Sequence, residues 1–251
     1  MISTKYFYPL LLIFILSCGQ DRFAPVVIKT EPGSILNFAG FTTNDEKEIL
    51  HNISHFPKTY IGADTAKERI VHRYLVKNTL LRFYTTEDRS LYEQSQVDLA
   101  SLSLSLGFPF EKPLVFTFWK QSYSGTKGKW QVDVDTTFTL HDSTGQEHRL
   151  SYRFSATGYD RGMTEVYVPE DRFQPYQVLR VEWDPFQSTL YDHTSGDSLL
   201  IQKGTQNLFY EPRLGMIRML SDYTLEEKGA SPVPRKSTWE LMSVDSPPPV
   251  R

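Results

Sequence analysis

The sequence predicts an all-β, mainly antiparallel domain of about a dozen strands with one short α-helix. Two observations carry this. Trp130, Val132, Val134, Phe138 and Leu140 alternate strictly with polar residues, as do Leu150, Tyr152, Phe154 and Ala156. Asp142-Ser143-Thr144-Gly145 lies between them as a turn. Aromatic residues, which favour strands, reach 14 %, with 14 Tyr and 16 Phe. A sheet of so many strands rarely stays flat and open. The expectation is therefore a strongly curved sheet, as an open or closed barrel or a two-sheet sandwich.

In chain order, residues 1–17 come first. Lys5 is the lone early charge, Tyr6 to Leu16 is apolar, and Gln20-Asp21-Arg22 ends the run. A transmembrane helix needs about 20 apolar residues, so this segment is too short. A basic start, an apolar centre and a small residue before the cut read as a secretory leader. Ile15-Leu16-Ser17-Cys18 also resembles the lipobox of bacterial lipoprotein signal peptides. That resemblance implies cleavage before Cys18 and acylation of its thiol. Two or three acyl chains anchor stably where one is marginal, each buried CH₂ adding about 0.8 kcal/mol. Cys18 is the only cysteine of the chain, so no disulfide partner competes. Gly19, where an aspartate would retain an enteric lipoprotein at the inner membrane, points by the same resemblance to the outer membrane.

Residues 18–35 read as a tether, with Pro25, Pro32 and Gly33 breaking any period. Residues 36–245 read as one β-rich domain, and 246–251, with Pro247-Pro248-Pro249, as a disordered tail. Thr43-Asn44-Asp45-Glu46 resembles a capping box, and Ile49, Leu50, Ile53 and Phe56 recur at helical spacing before Pro57. This predicts the helix over 44–55. Arg69–Val76 and Thr79–Thr85 form a hairpin turned at Lys77-Asn78. Val97–Leu106 alternates with a shift near Ala100-Ser101 that a bulge would absorb. Leu114–Trp119 reads as a short strand, followed by the long hairpin described above. Thr164–Val168, Tyr176–Trp183, Thr189–Asp192, Ser198–Gln202, Leu208–Tyr210, Leu214–Leu220 and Ser237–Val244 read as separate short strands.

The formal net charge is −3, and losing Lys5 makes the remainder one unit more negative. That argues against nucleic acid as a partner. Hydrophobic content of 39 % and charged content of 23 % are those of a folded domain.

Glu165-Val166-Tyr167-Val168-Pro169-Glu170-Asp171-Arg172-Phe173, then Tyr176-Gln177-Val178, is similar to a segment of bacterial (Bacteroidota-like) envelope lipoproteins, roughly E-x-V-x-V-P-A-G-x-F followed by Y-x-V. Phe209-Tyr210, Gly215-Met216-Ile217-Arg218 and Trp239-Glu240-Leu241 match further parts of that pattern. Glu170-Asp171-Arg172 stands where the family has Ala-Gly-Thr, so the turn lacks its glycine. The resemblance implies a fold, with Phe173 plugging the turn, and carries no catalytic assignment.

No nucleophile elbow, phosphate-cradling glycine loop or zinc-type spacing is present. His51 and His55 are four apart on the expected helix but lack a glutamate base and a third ligand. Asp133 and Asp135 share a face and read as solvated carboxylates opposite Arg149 or Arg153. His141 and His148 flank the hairpin turn, and His193 lies near Ser195 and Asp197. Trp119, Trp130, Trp183 and Trp239 read as core. The sequence thus nominates Cys18 for lipidation and no catalytic residue, metal ligand or cofactor. It supports three readings: a binding module for an apolar molecule or an envelope protein, a structural or assembly lipoprotein with a filled core acting through its surface, or an envelope-polymer hydrolase. The first two are non-catalytic, and the first leads.

Overall fold

The computed structural model describes residues 31–66, 69–76, 79–98, 115–141, 145–169 and 171–246. Among the described residues twelve strands follow one another: β1 (Ile35–Thr43), β2 (Ile49–Ala66), β3 (Arg69–Val76), β4 (Thr79–Thr85), β5 (Leu91–Asp98), β6 (Val115–Tyr123), β7 (Lys129–His141), β8 (Glu147–Val168), β9 (Asp171–Asp192), β10 (Asp197–Glu211), β11 (Gly215–Glu227) and β12 (Val233–Asp245). They form one antiparallel sheet in the order β6-β5-β4-β3-β2-β1-β12-β11-β10-β9-β8-β7. The first and last strands pair, from Ile35 against Asp245 to Thr43 against Lys236. The sheet curls into a nearly closed barrel, so the expected all-β class holds and the two-sheet alternative does not.

The two edge strands, β6 and β7, face each other across a seam in the middle of the chain. Among the described residues no backbone ladder joins them; side chains close the seam instead. Phe116 packs on Phe138 (ring centroids 5.0 Å) and on Tyr152 (5.1 Å), and Phe118 packs on Tyr152 (5.4 Å). Trp130 Nε1 donates to the Gln121 carbonyl at 3.3 Å, and the Tyr123 hydroxyl donates to Asp160 at 3.0 Å. Inward positions recur every second residue, as the pleat demands. Trp183, Tyr74, Tyr210, Leu36, Leu190 and Ile217 are among the fully buried side chains. The outward faces of β7 and β8 carry Gln131, Asp133, Asp135, Arg149 and Arg153.

Long strands bend at bulges. The register shifts between Ala156 and Gly158 on β8 against β9, and between Gly204 and Gln206 on β10 against β9. The Asp184-Pro185 peptide, which is cis, lies at the same level. Close approach requires glycine at several positions, two of them against tryptophan rings. A Cβ on Gly158 would stand 2.3 Å from the Trp130 ring, and one on Gly40 would stand 2.6 Å from the Trp239 ring.

Several expectations are corrected. There is no helix over 44–55: β1 turns at Asn44–Glu48 straight into β2. Glu48 N donates to Asn44 Oδ1 at 2.9 Å and Asn44 N to the Glu48 carbonyl at 3.2 Å, while Lys47 takes a positive φ of 65°. The Asx-type turn and the ladder to β1 satisfy the backbone that a helix would have satisfied, so tertiary pairing overrides the helical spacing. The short strands expected after residue 164 are pieces of longer ones. Pro185 and Gly204 read as breaks but sit at bulges inside strands of 22 and 15 residues. The end of the expected tether is already tied in, since Gly33 N donates to the Tyr60 carbonyl at 2.7 Å and Tyr60 N to the Ser34 carbonyl at 2.9 Å. Residues 1–30, including Cys18, the Lys77-Asn78 and Asp142–Thr144 turns, residues 99–114, the Phe173 side chain and the tail after 246 lie outside the described residues.

Candidate functional site

The barrel interior is filled by aromatic side chains. His72, Tyr74 and Phe83 stack in series, with centroids 4.9 Å apart for His72–Phe83 and 5.4 Å for Tyr74–Phe83. Phe154 meets Trp183 at 5.3 Å. Strand parity also turns three charged residues inward. Lys58 lies between the inward Phe56 and Tyr60 on β2, Glu93 follows the inward Leu91 on β5, and Lys120 follows the inward Phe118 on β6. The Tyr210 hydroxyl donates to Glu93 Oε2 at 2.9 Å. Lys58 Nζ sits 4.1 Å from the Tyr74 ring centroid, and Lys120 Nζ sits 4.2 Å from that of Trp183.

Burial lowers the Lys120 ammonium to about 8 and lowers Lys58 as well, and in both the Glu93 charge works in the opposite direction. Burial, reinforced by Glu93, raises the Tyr210 hydroxyl well above its ordinary value. The cavity beside this cluster, lined by Lys58, Tyr74, Glu93 and Met216, measures ≈10 Å³. That is room for about one water. The cluster is therefore a polar knot packed among aromatic rings, joined by the Tyr210–Glu93 hydrogen bond. Its sequence signal is a charged residue on the inward parity of an alternating strand, which the sequence reading did not track.

The large concavities open on the outside. One, of ≈630 Å³, lies where β8, β9 and β10 bulge together, and Ser155, Thr157, Asp184, Lys203 and Thr205 face it. The other, of ≈580 Å³, lies at one end of the seam and is lined by Tyr92, Gln121, Lys127, Lys129 and Trp130. Gln131 lines both, so the two adjoin there and together make the outer trough. Beyond Tyr92 runs an aromatic ladder on the outer face of β4–β6. Tyr92 stacks on Tyr84 at 5.1 Å, Tyr84 meets Trp119 at 5.3 Å, and the Arg69 guanidinium lies 4.9 Å over Tyr84. Trp119 is 40 % exposed. This corrects its reading as core: Phe116, Phe118, Lys120 and Ser122 take the inward positions of β6, so Trp119 points out. Trp183 and Trp130 are buried, and Trp239 is half-buried, packed edge-to-face against Phe56.

The histidines do not assemble a site. His51 and His55 lie on a strand, exposed and about 13 Å apart along it. Asp133 pairs with Arg153 at 3.2 Å, with both side chains about three-fifths exposed. His141 faces solvent opposite Glu147, whereas His148 is buried. His148 Nδ1 meets Asp192 Oδ2 at 3.3 Å, and Thr194 N donates to Asp192 Oδ1 at 2.8 Å. Burial pushes the Asp192 carboxyl up, but hydrogen bonds from Thr194, His148 and Ser195 together hold it below its ordinary value. Thr194, His148 and Ser195 thus converge on one carboxylate at the turn between β9 and β10. His193 stands edge-on to Tyr191 at 5.0 Å. Among the described residues no three His, Cys, Asp or Glu side chains converge as a metal site.

Comparison with protein-family models, with curated proteins and with solved structures finds no match to this chain.

Proposed function

We propose that this protein is a lipid-anchored cell-envelope lipoprotein, acylated on Cys18 and held at the outer membrane. In this reading it is a non-catalytic binding module that engages an envelope partner through the outer surface of a filled barrel. The lipobox-like Ile15-Leu16-Ser17-Cys18, the single cysteine and Gly19 support the anchor. One observation carries the surface reading. Among the described residues the cavity beside the inward charges is ≈10 Å³, while the outer concavities are ≈630 and ≈580 Å³. A carrier that swallows an apolar molecule needs an interior of about 300 Å³ or more. That version of the binding-module reading gives way to the surface one.

Two measurements test this. Cells fed an alkyne-tagged palmitate should label the protein and place it in the outer-membrane fraction, and Cys18→Ala should abolish both. A photo-reactive residue at Trp119 or Gln131 should cross-link an envelope component, whereas one at Arg153 should not. Unlabelled protein would overturn the anchor. Equal cross-linking at all three positions would overturn the surface reading.

A further inference from the structure

We infer that the outer trough, with the aromatic ladder beside it, binds a glycan chain. This rests on the surface reading above and names the chemistry of the partner. Four observations converge. Two concavities of ordinary ligand-site size adjoin at Gln131, so a chain can engage both where one compact molecule would fill only one. Their walls combine amides and hydroxyls, namely Gln121, Gln131, Ser155, Thr157 and Thr205, with apolar surface from Ala156, Pro185 and Phe186, as the two-sided surface of a sugar requires. The amides and hydroxyls both donate and accept, as sugar hydroxyls do. An apolar occupant would strip them of water without replacing their hydrogen bonds.

Tyr92 lines the second concavity, and Trp119, two residues from its Gln121 wall, is 40 % exposed, with Tyr84 in contact with both. The C–H face of a pyranose packs on an exposed indole ring of this kind. The junction is also preorganised. Gln131 Nε2 donates to Thr157 Oγ1 at 3.1 Å, and the Thr157 hydroxyl donates back to Gln131 Oε1 at 3.3 Å. Both residues sit on paired strands rather than on loops, so little side-chain freedom is lost when a ligand arrives. The charges along the trough, Asp88, Asp184, Lys127, Lys129 and Lys203, are of both signs and spread out, unlike the arginine clusters that select phosphates.

The test is titration of the full-length lipidated protein in detergent micelles, by calorimetry and tryptophan fluorescence. The probes are hexasaccharides of β-1,4-linked N-acetylglucosamine, β-1,4-linked glucose, α-1,4-linked glucose and α-1,6-linked mannose. At least one should saturate with a Kd between about 10 μM and 1 mM. Trp119→Ala and Gln131→Ala should each weaken it by about tenfold, with unchanged circular dichroism, and Arg153→Ala should leave it intact. Absence of binding by all four at millimolar concentration overturns the inference, as does binding that ignores both substitutions. If the sugars fail while the Trp119 photo-cross-link still captures an envelope protein, the glycan assignment falls and the surface reading stands. If both fail, both fall.

Discussion

Lys120 shows how a single inward charge is read. Its folded-state value of about 8 lies below the 10.5 of the unfolded chain, because burial disfavours the ammonium. Between these two values the unfolded state holds more protons, so this group makes stability rise with pH across that window. Below about pH 8 both states are charged and the burial penalty is fully present. Lys120→Met should therefore stabilise the protein at neutral pH by about 1 kcal/mol or more, and flatten the rise between pH 8 and 10.5. Urea unfolding across that range measures it. Asp192 works in the opposite sense. Its depressed carboxyl stabilises the fold above the ordinary carboxylate range, and that contribution is lost as pH falls through its folded-state value. Asp192→Asn should be less stable at pH 7 and should lose part of the acid sensitivity of the native protein. Gly158→Ala drives a methyl into the Trp130 ring and should cost about 1–3 kcal/mol in the same assay.

At the scale of elements, the seam is the place where the sheet stops being a sheet. Every other neighbouring pair of strands is held by a backbone ladder, whereas β6 and β7 meet through Phe116, Phe118, Tyr123, Trp130 and Phe138. The seam-facing amides of β6 and β7 lack the cross-strand acceptors that protect β8–β10. They should exchange with deuterium well before those of β9, which is paired on both sides. Phe118→Ala should cost about 3 kcal/mol and speed exchange in β6 first. Much of this layer was legible beforehand. The alternation of Trp130–Leu140 and Leu150–Ala156 announced the β7–β8 hairpin, and Arg69–Thr85 announced β3–β4. Residues 44–55 were misread because Ile49, Leu50 and Ile53 satisfy a helical period as well as a curved strand. The period counts apolar positions and is blind to the pairing partner that β1 supplies. The division of β9 and β10 into short pieces has a similar origin, since Pro185 and Gly204 mark bulges as readily as ends.

At the scale of the molecule, the sequence announced a curved sheet with an interior, but whether that interior was hollow depended on which residues pointed inward. Tyr74, Trp183 and Tyr210 meet there from opposite halves of the chain, and no local pattern reports that they fill the space between them. The candidate trough was illegible for the same reason. Gln131, Thr157 and Thr205 are ordinary strand residues until the two register shifts beside Asp184-Pro185 shape the surface around them. Native mass spectrometry of the chain without residues 1–18, purified gently from cells and then incubated with envelope lipid extract, tests the filled-barrel account most directly. The account predicts a clean mass of the polypeptide alone before and after incubation. A lipid or other apolar molecule that adds mass and is shed on activation would contradict it, because a packed interior has nowhere to hold one.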